Sequence, residues 1–181
     1  MKAAVLVEDT DFGRGWGEAA IDSLSKAGFE VLPYDVTALE ETEFSPLLTK
    51  YKAQNVSLVG MTSTGNVSVS NFVKQFRQQD VKALMIAHGL GWFSEWYELT
   101  GDASNYAVAI DSPQVIDDEQ AKWVERYKAK FGIDPGTGAS GITYDYMRMA
   151  FKVLNKAGTL DFDTLVETIY ANPYRGVWNY Y

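Results

Sequence analysis

Short apolar runs alternate with stretches of helical periodicity along the first 110 residues of the chain. The runs that predict strands are 3–7, 29–34, 56–61, 83–87 and 106–110. The first of them, 3–7, is continuously apolar, which is typical of a strand that helices cover on both faces. The first part of the chain is therefore predicted to be a sheet protein whose strands are buried.

The stretches between these runs predict helices. Trp16, Ala19, Ala20 and Leu24 share one helical face, and Gly28 follows where a helix would end. Further helices are predicted over 45–54 and 67–79. Strands and helices that alternate with short connections imply a parallel sheet with helices on both sides. Residues 1–111 are thus predicted to form an α/β, three-layer, Rossmann-like domain.

The pattern changes after residue 111. Three helices are predicted over 117–131, 139–157 and from Asp161 to the Asn172-Pro173 pair, with no strand between them. Acidic residues at the start of the first helix, and the glycines Gly132 and Gly158 after the first and second helices, match the residues preferred at helix termini. Since these helices do not continue the alternation, residues 112–181 are expected to pack partly away from the sheet.

Composition and charge exclude several classes of function. The 181 residues are 46% hydrophobic and carry a net charge of −8, which disfavours binding to nucleic acids. The chain has no Cys and one His, which excludes disulfides, thiol catalysis and multi-His metal sites, so no metal or cofactor is predicted. No apolar run is long enough to span a membrane. No signal peptide precedes the first strand, and we expect a piece of a longer protein.

A glycine-rich segment suggests one alternative. Gly13, Gly15 and Gly17 lie between a strand and a helix, where dinucleotide-binding folds place their glycines, and Asp35 follows at the distance of a ribose-binding acid. Glu18 stands at the third glycine position of that motif, and the acids of residues 8–11 would repel a pyrophosphate. A nucleotide-dependent α/β enzyme that uses the Gly13–Gly17 loop is therefore the second hypothesis, beside a plain glycine-rich turn.

Polar residues follow two other predicted strands. Thr62 and Ser63 end the third run and His88 ends the fourth, with Trp92 soon after. Ligands of open α/β sheets bind at the carboxyl ends of the strands, so these residues are candidates for a binding crevice. A solvated turn and a structural histidine explain them equally well. No G-x-S-x-G or Walker motif occurs, which favours a binding module over an enzyme.

Several segments together resemble the leucine/isoleucine/valine-binding family of solute-binding proteins. They are 4–15 (AVLVEDTDFGRG), 27–28 (AG), 42–52 (TEFSPLLTKYK), 101–103 (GDA), 131–135 (FGIDP) and 144–145 (YD). The resemblance implies a type I periplasmic binding protein, a two-lobed clamshell that captures small molecules for an ABC transporter. Residues 1–111 would be its second lobe, and 112–181 a hinge crossing and the C-terminal helices of the first lobe. The implied partners are a small-molecule ligand and a membrane permease, and the implied location is periplasmic or extracellular.

The resemblance also implies a ligand site. The predicted ligand-binding residues are Phe12, Gly13, Met61, Thr62, Ser63, His88 and Trp92. His88 stands near the position of the acid that pairs with the ammonium group of amino-acid ligands in the family. The ligand is expected to be a small carboxylate-bearing molecule, either an amino acid or an aromatic or aliphatic acid without an α-amine. Since a histidine does not replace a carboxylate there, we expect the acids without an amine to bind better than leucine or valine. With most of one lobe missing, the isolated chain is expected to bind ligand weakly or not at all, and to self-associate through its exposed apolar face.

Overall fold

A computed structural model describes residues 1–90, 92, 95–111, 115–136 and 139–181 of the chain. These residues divide into two compact units, Met1–Asp111 and Ser112–Tyr181. Residues 112–114, which open the second region predicted from the sequence, lie outside the described residues.

The first unit is built on one parallel sheet. Its strands, within the described residues, are β1 (Lys2–Glu8), β2 (Glu30–Val31), β3 (Asp35–Thr37), β4 (Val56–Thr62), β5 (Leu84–His88) and β6 (Val108–Ile110). The order is β2-β1-β4-β5-β6, with β3 also paired to β1, and every pairing is parallel. The predicted parallel α/β sheet is confirmed.

One predicted strand was wrong in extent. The run 29–34 does not form a continuous strand but is replaced by β2 and β3, which pair with β1 on either side of residues 32–34. Pro33 has no N–H to donate and therefore interrupts a ladder of hydrogen bonds.

Helices cover both faces of this sheet. They are α1 (Asp11–Lys26), α2 (Ser45–Ala53), α3 (Asn66–Gln78) and the short α4 (Trp96–Thr100), followed by a 3₁₀ turn at Gly101–Ser104. The main core lies between the sheet and α2 and α3, where Phe44, Tyr51, Phe72 and Phe76 are fully buried. Burial of side chains of this size contributes roughly 1.5–3 kcal/mol each. On the opposite face, α1 and the sheet border an apolar groove of about 310 Å³.

The glycine-rich segment is helical, contrary to the prediction of a loop. Helix α1 begins at Asp11, so Gly13, Gly15 and Gly17 lie in its first two turns. A Cβ atom on Gly13 would stand 2.2 Å from the carbonyl oxygen of Glu8, and one on Gly17 would stand 2.9 Å from Cγ1 of Val7. These two glycines therefore let the helix approach β1 closely, a role that explains their spacing of four residues.

This geometry gives a matched pair of substitutions in one helix. Gly15→Ala places its Cβ in open space, because no atom of the described residues outside the helix lies within 4 Å. We expect it to stabilise the protein by about 0.5–1 kcal/mol, since alanine is the better helix former. Gly17→Ala should destabilise it by roughly 1–3 kcal/mol, because Val7 has to move. Urea unfolding of both variants tests this, and equal effects would contradict the packing role of Gly17.

The second unit contains the three predicted helices. They are α5 (Asp118–Phe131), α6 (Ala139–Ala157) and α7 (Phe162–Tyr170). Side chains of Asp117 and Asp161 cap the starts of α5 and α7, and Gly132 ends α5 in the left-handed conformation with φ of 74°. Helical propensity and capping thus place these elements where the sequence predicts them.

The end of the chain folds back onto α5 and α6. Trp123, Val177 and Trp178 form a buried cluster, and the Trp178 ring lies against Gly141, where a Cβ would stand 2.2 Å from it. The carboxylate of Asp145 is fully buried and accepts hydrogen bonds from the backbone N–H groups of Val177 and Trp178, both at 2.7 Å. One buried carboxylate thus fixes the turn that carries Trp178.

Large apolar side chains remain exposed on the second unit. Leu160 and Tyr170 are each 83% exposed, and Phe162 is 74% exposed. Exposed apolar surface favours association between molecules, and the self-association of the isolated chain stays a prediction. None of the helices in the described part of the chain is long and apolar enough to cross a membrane.

Candidate ligand-binding site

The candidate site is built on the carboxyl ends of β4 and β5. Thr62 ends β4 and His88 ends β5, and the register of the two strands places these residues side by side. The hydroxyl oxygen of Thr62 lies 3.2 Å from Nδ1 of His88, within hydrogen-bonding distance. The register of the sheet, rather than a local turn, therefore sets the position of the only histidine of the chain.

Two aromatic side chains flank that histidine. Phe12, in the first turn of α1, lies with its ring centroid 5.5 Å from that of His88, and Trp92 packs edge-on at 4.7 Å. Phe12 is 50% exposed, while His88 and Trp92 are half-buried. Ring pairs at these distances attract each other by about 0.5–1.5 kcal/mol beyond their burial. We call these three residues the aromatic wall.

The turn after β5 requires glycine. Gly89 has a positive φ of 87°, and a Cβ on it would stand 2.9 Å from the carbonyl oxygen of Ser63. The chain then brings Trp92 back against His88, and the indole N–H of Trp92 donates a 2.6 Å hydrogen bond to Asp111 at the end of the unit. Hydrogen-bonding contacts thus position two members of the aromatic wall, His88 through Thr62 and Trp92 through Asp111.

The other predicted site residues are buried. Gly13 is buried within the first turn of α1, and Met61, Thr62 and Ser63 are at most 4% exposed. The hydroxyl of Ser63 accepts a hydrogen bond from the N–H of Gly65 and so belongs to its own turn. Among these residues Thr62 contacts the aromatic wall directly, because its hydroxyl lies within hydrogen-bonding distance of His88.

Sequence reasoning missed Glu8, which it placed in a loop as a repelling charge. Glu8 ends β1, is 2% exposed, and receives hydrogen bonds from the hydroxyl of Thr10 and from both the N–H and the hydroxyl of Thr64. Thr10 also caps α1 by accepting from the N–H of Gly13. The pattern of a threonine followed by Asp11 is a signal of a helix start, and it could have placed α1 correctly.

The charged groups near the glycine segment are paired with one another. Arg14 donates two hydrogen bonds to Asp9, and this contact raises the pKa of the Arg14 guanidinium. Asp35, the proposed ribose-binding acid, instead accepts from Lys50 and from the hydroxyl of Tyr51. Burial, and then the charge of Asp35, raise the pKa of Tyr51. The features on which the dinucleotide hypothesis rested are therefore not available for a nucleotide. The segment 13–17 is helical, Arg14 is paired with Asp9, and Asp35 is paired with Lys50.

Almost the whole chain is similar to a known protein family. A family model described as periplasmic binding protein matches residues 1–179. The chain belongs to this family. The proteins of this family bind solutes and are not enzymes. The resemblance of the chain to leucine/isoleucine/valine-binding proteins is confirmed.

The similar curated proteins are longer than the chain. Leu/Ile/Val-binding protein homolog 8 of Brucella abortus and that of Brucella suis are each 27% identical to it over 185 residues, which cover 94% of the chain and 44% of the relative. The chain therefore spans less than half the length of these relatives.

Solved structures show the same fold. A periplasmic binding protein from Burkholderia mallei superposes with a TM-score of 0.81 at 18% identity, over 99% of the chain and 48% of its own. A leucine-binding protein from Thermotoga maritima gives 0.76 at 19%, over 93% and 48%. A solute-binding protein of an ABC transporter from Rhodopseudomonas palustris, in complex with 3,4-dihydroxybenzoic acid, gives 0.75 at 20%, over 97% and 50%. At these identities the likeness shows the fold alone.

Proposed function

We propose that the chain is the ligand-enclosing part of the solute-binding component of an ABC-type importer. In this proposal residues 1–111 form the second lobe of a clamshell, and residues 112–181 contain a hinge crossing and helices of the first lobe. The whole protein captures a small carboxylate-bearing molecule outside the cytoplasm and delivers it to a membrane permease. Membership of the periplasmic binding protein family and the likeness to solute-binding proteins of ABC transporters support this proposal.

The aromatic wall is the observation that carries the choice of ligand. Phe12, His88 and Trp92 offer ring faces and one imidazole at the strand ends where such folds bind their ligands. None of the three is an acid that would pair with the ammonium group of an amino acid. We therefore favour a carboxylate without an α-amine, such as an aromatic acid, and the ligand of the Rhodopseudomonas palustris protein is a precedent within the fold.

The isolated chain tests this choice, because its one histidine makes the imidazole C–H signals in NMR spectra unambiguous to assign; the Cε1–H resonance serves as the His88 signal. Titration with benzoate or 3,4-dihydroxybenzoate should shift the His88 signal, whereas L-leucine should leave it in place. We expect weak binding, with Kd on the order of 1 mM, because one wall buries only part of a small ligand.

Two results would count against the proposal. A stronger response to L-leucine than to the aromatic acids would exclude the predicted ligand class. Sub-micromolar binding by the monomer would show that this chain encloses a ligand without a second lobe. A response to NAD in the same titration would revive the nucleotide hypothesis.

A further inference from the structure

The buried carboxylate of Glu8 has a role that the ligand site alone does not explain. It lies at the end of β1, within the described first unit, and is 2% exposed. Its Oε1 accepts the hydroxyl of Thr10 at 2.9 Å, and its Oε2 accepts the N–H of Thr64 at 2.6 Å and the hydroxyl of Thr64 at 3.0 Å. A buried carboxylate with three donors is costly to remove, because each donor would be left without its acceptor.

Two helices begin beside this carboxylate. Thr10 is the N-cap residue of α1, and Thr64 directly precedes Gly65, the N-cap residue of α3. Gly65 has no side chain with which to cap its helix, and the first turn of α3 contains no acid. Helix starts carry partial positive charge, and in open α/β sheets they attract the anionic groups of ligands. The carboxylate of Glu8 lies beside both helix starts, bound to the hydroxyl of the N-cap residue Thr10 and to the N–H of Thr64, the residue before the N-cap of α3.

The same hydrogen bonds connect the two segments that carry the aromatic wall. Thr10 begins the turn that contains Phe12, and Thr64 lies two residues after Thr62, whose hydroxyl contacts His88. Gly13 permits this arrangement, since a Cβ there would stand 2.8 Å from Cγ of Glu8. Glu8 therefore joins the support of Phe12 to the support of His88.

We propose that Glu8 is a positioning residue that fills the anion position of this sheet edge and holds Phe12 against His88. The ligand then meets the aromatic wall with its uncharged end, and its carboxylate has to be bound elsewhere in the complete protein. This inference rests on the proposed ligand site, but its structural part is measurable without a ligand.

The test uses the His88 imidazole signal of the full chain. Phe12→Leu removes the neighbouring ring and defines how far the signal moves when Phe12 is absent. Glu8→Ala should move the signal most of that distance and lower Tm by roughly 4–10 °C. In the double variant with Phe12→Leu, the Glu8 substitution should add little further shift, because both changes act on the same ring contact.

Addition of acetate distinguishes the loss of an anion at the position of the Glu8 carboxylate from a general loss of order in the variant. Acetate at tens of millimolar should return the His88 signal of Glu8→Ala toward that of the unsubstituted protein, and neutral acetamide should not. Glu8→Gln keeps the size and one acceptor oxygen and should give a smaller shift in the same direction, so it serves if Glu8→Ala does not fold.

Three results would overturn the proposal. They are an unmoved His88 signal in a folded Glu8→Ala or Glu8→Gln variant, shifts that simply add in the double variant, and equal effects of acetate and acetamide. Failure of the benzoate titration with the Glu8 results intact would remove the ligand proposal while leaving the positioning role. The two ideas therefore fail in distinguishable ways.

Discussion

Replacement of Asp145 by asparagine is expected to destabilise the second unit by about 3 kcal/mol. The two carboxylate oxygens of Asp145 can act only as acceptors. They accept hydrogen bonds from the N–H groups of Val177 and Trp178 and from the hydroxyl of Tyr181. An asparagine would turn an N–H₂ group toward one of these buried donors. No rotation of the amide relieves the conflict, because both oxygens already have an N–H partner.

Fluorescence of Trp123 and Trp178 reports this loss during unfolding in urea, since both rings lie in the cluster that the turn closes. Asp163→Asn is the matched control, because Asp163 is exposed in the first turn of α7. We expect that variant to change stability by no more than about 0.5 kcal/mol. A loss below about 1 kcal/mol for Asp145→Asn would mean that the turn is held mainly by the Trp178 packing.

The surroundings of Tyr181 provide a second readout of the same substitution. Burial, followed by the nearby charge of Asp145, raises the pKa of the Tyr181 hydroxyl. Removal of the charge should lower that pKa part of the way toward its ordinary value, while the effect of burial remains.

Hydrophobic periodicity was sufficient to predict most of the elements. The buried strand β1 contains an uninterrupted apolar run, and helices such as α5 and α6 are marked by a capping residue or by a glycine at the end. These signals are local, because they depend on the backbone hydrogen bonds of one segment and on the face that it buries. The parallel arrangement followed from the alternation, since short connections leave few other topologies.

The start of α1 could not be predicted in the same way. Three glycines in seven residues lower helix propensity, and local reasoning therefore recognises a helix only from Trp16 onward. The structure favours the helix because Gly13 and Gly17 allow it to lie close to Glu8 and Val7. That advantage depends on a contact between a helix and a strand, and the helix propensity of a single segment carries no information about such a contact.

The arrangement of the candidate site was predicted in outline but not in its details. The structure places Phe12 and Thr62 beside His88, as the position of all three near the carboxyl ends of parallel strands suggested, while ligand binding there stays a prediction. That position did not reveal that Thr62 is buried, because burial depends on neighbours in two other strands. It also did not show that Glu8 turns inward, since side-chain direction at the end of a strand is set by the loops that follow it.

Replacement of His88 by glutamate should change the ligand preference of the aromatic wall more than any other single substitution. We expect the affinity for L-leucine relative to benzoate to rise about ten- to a hundredfold. The new carboxylate would stand at the end of β5, where a charge-assisted hydrogen bond to the ligand ammonium becomes available. The same charge would repel the carboxylate of benzoate if that group approached this edge.

Because the variant lacks the histidine signal, binding is followed through the ligands, by saturation-transfer NMR and calorimetry. His88→Gln is the matched control, since glutamine has nearly the same size as glutamate and carries no charge. It should weaken benzoate binding through loss of the ring contacts with Phe12 and Trp92, without any gain for L-leucine. An equal gain in both variants would attribute the change to lost packing rather than to charge. No gain in either would place the partner of a ligand ammonium elsewhere, and His88 would then not be the residue that selects against amino acids.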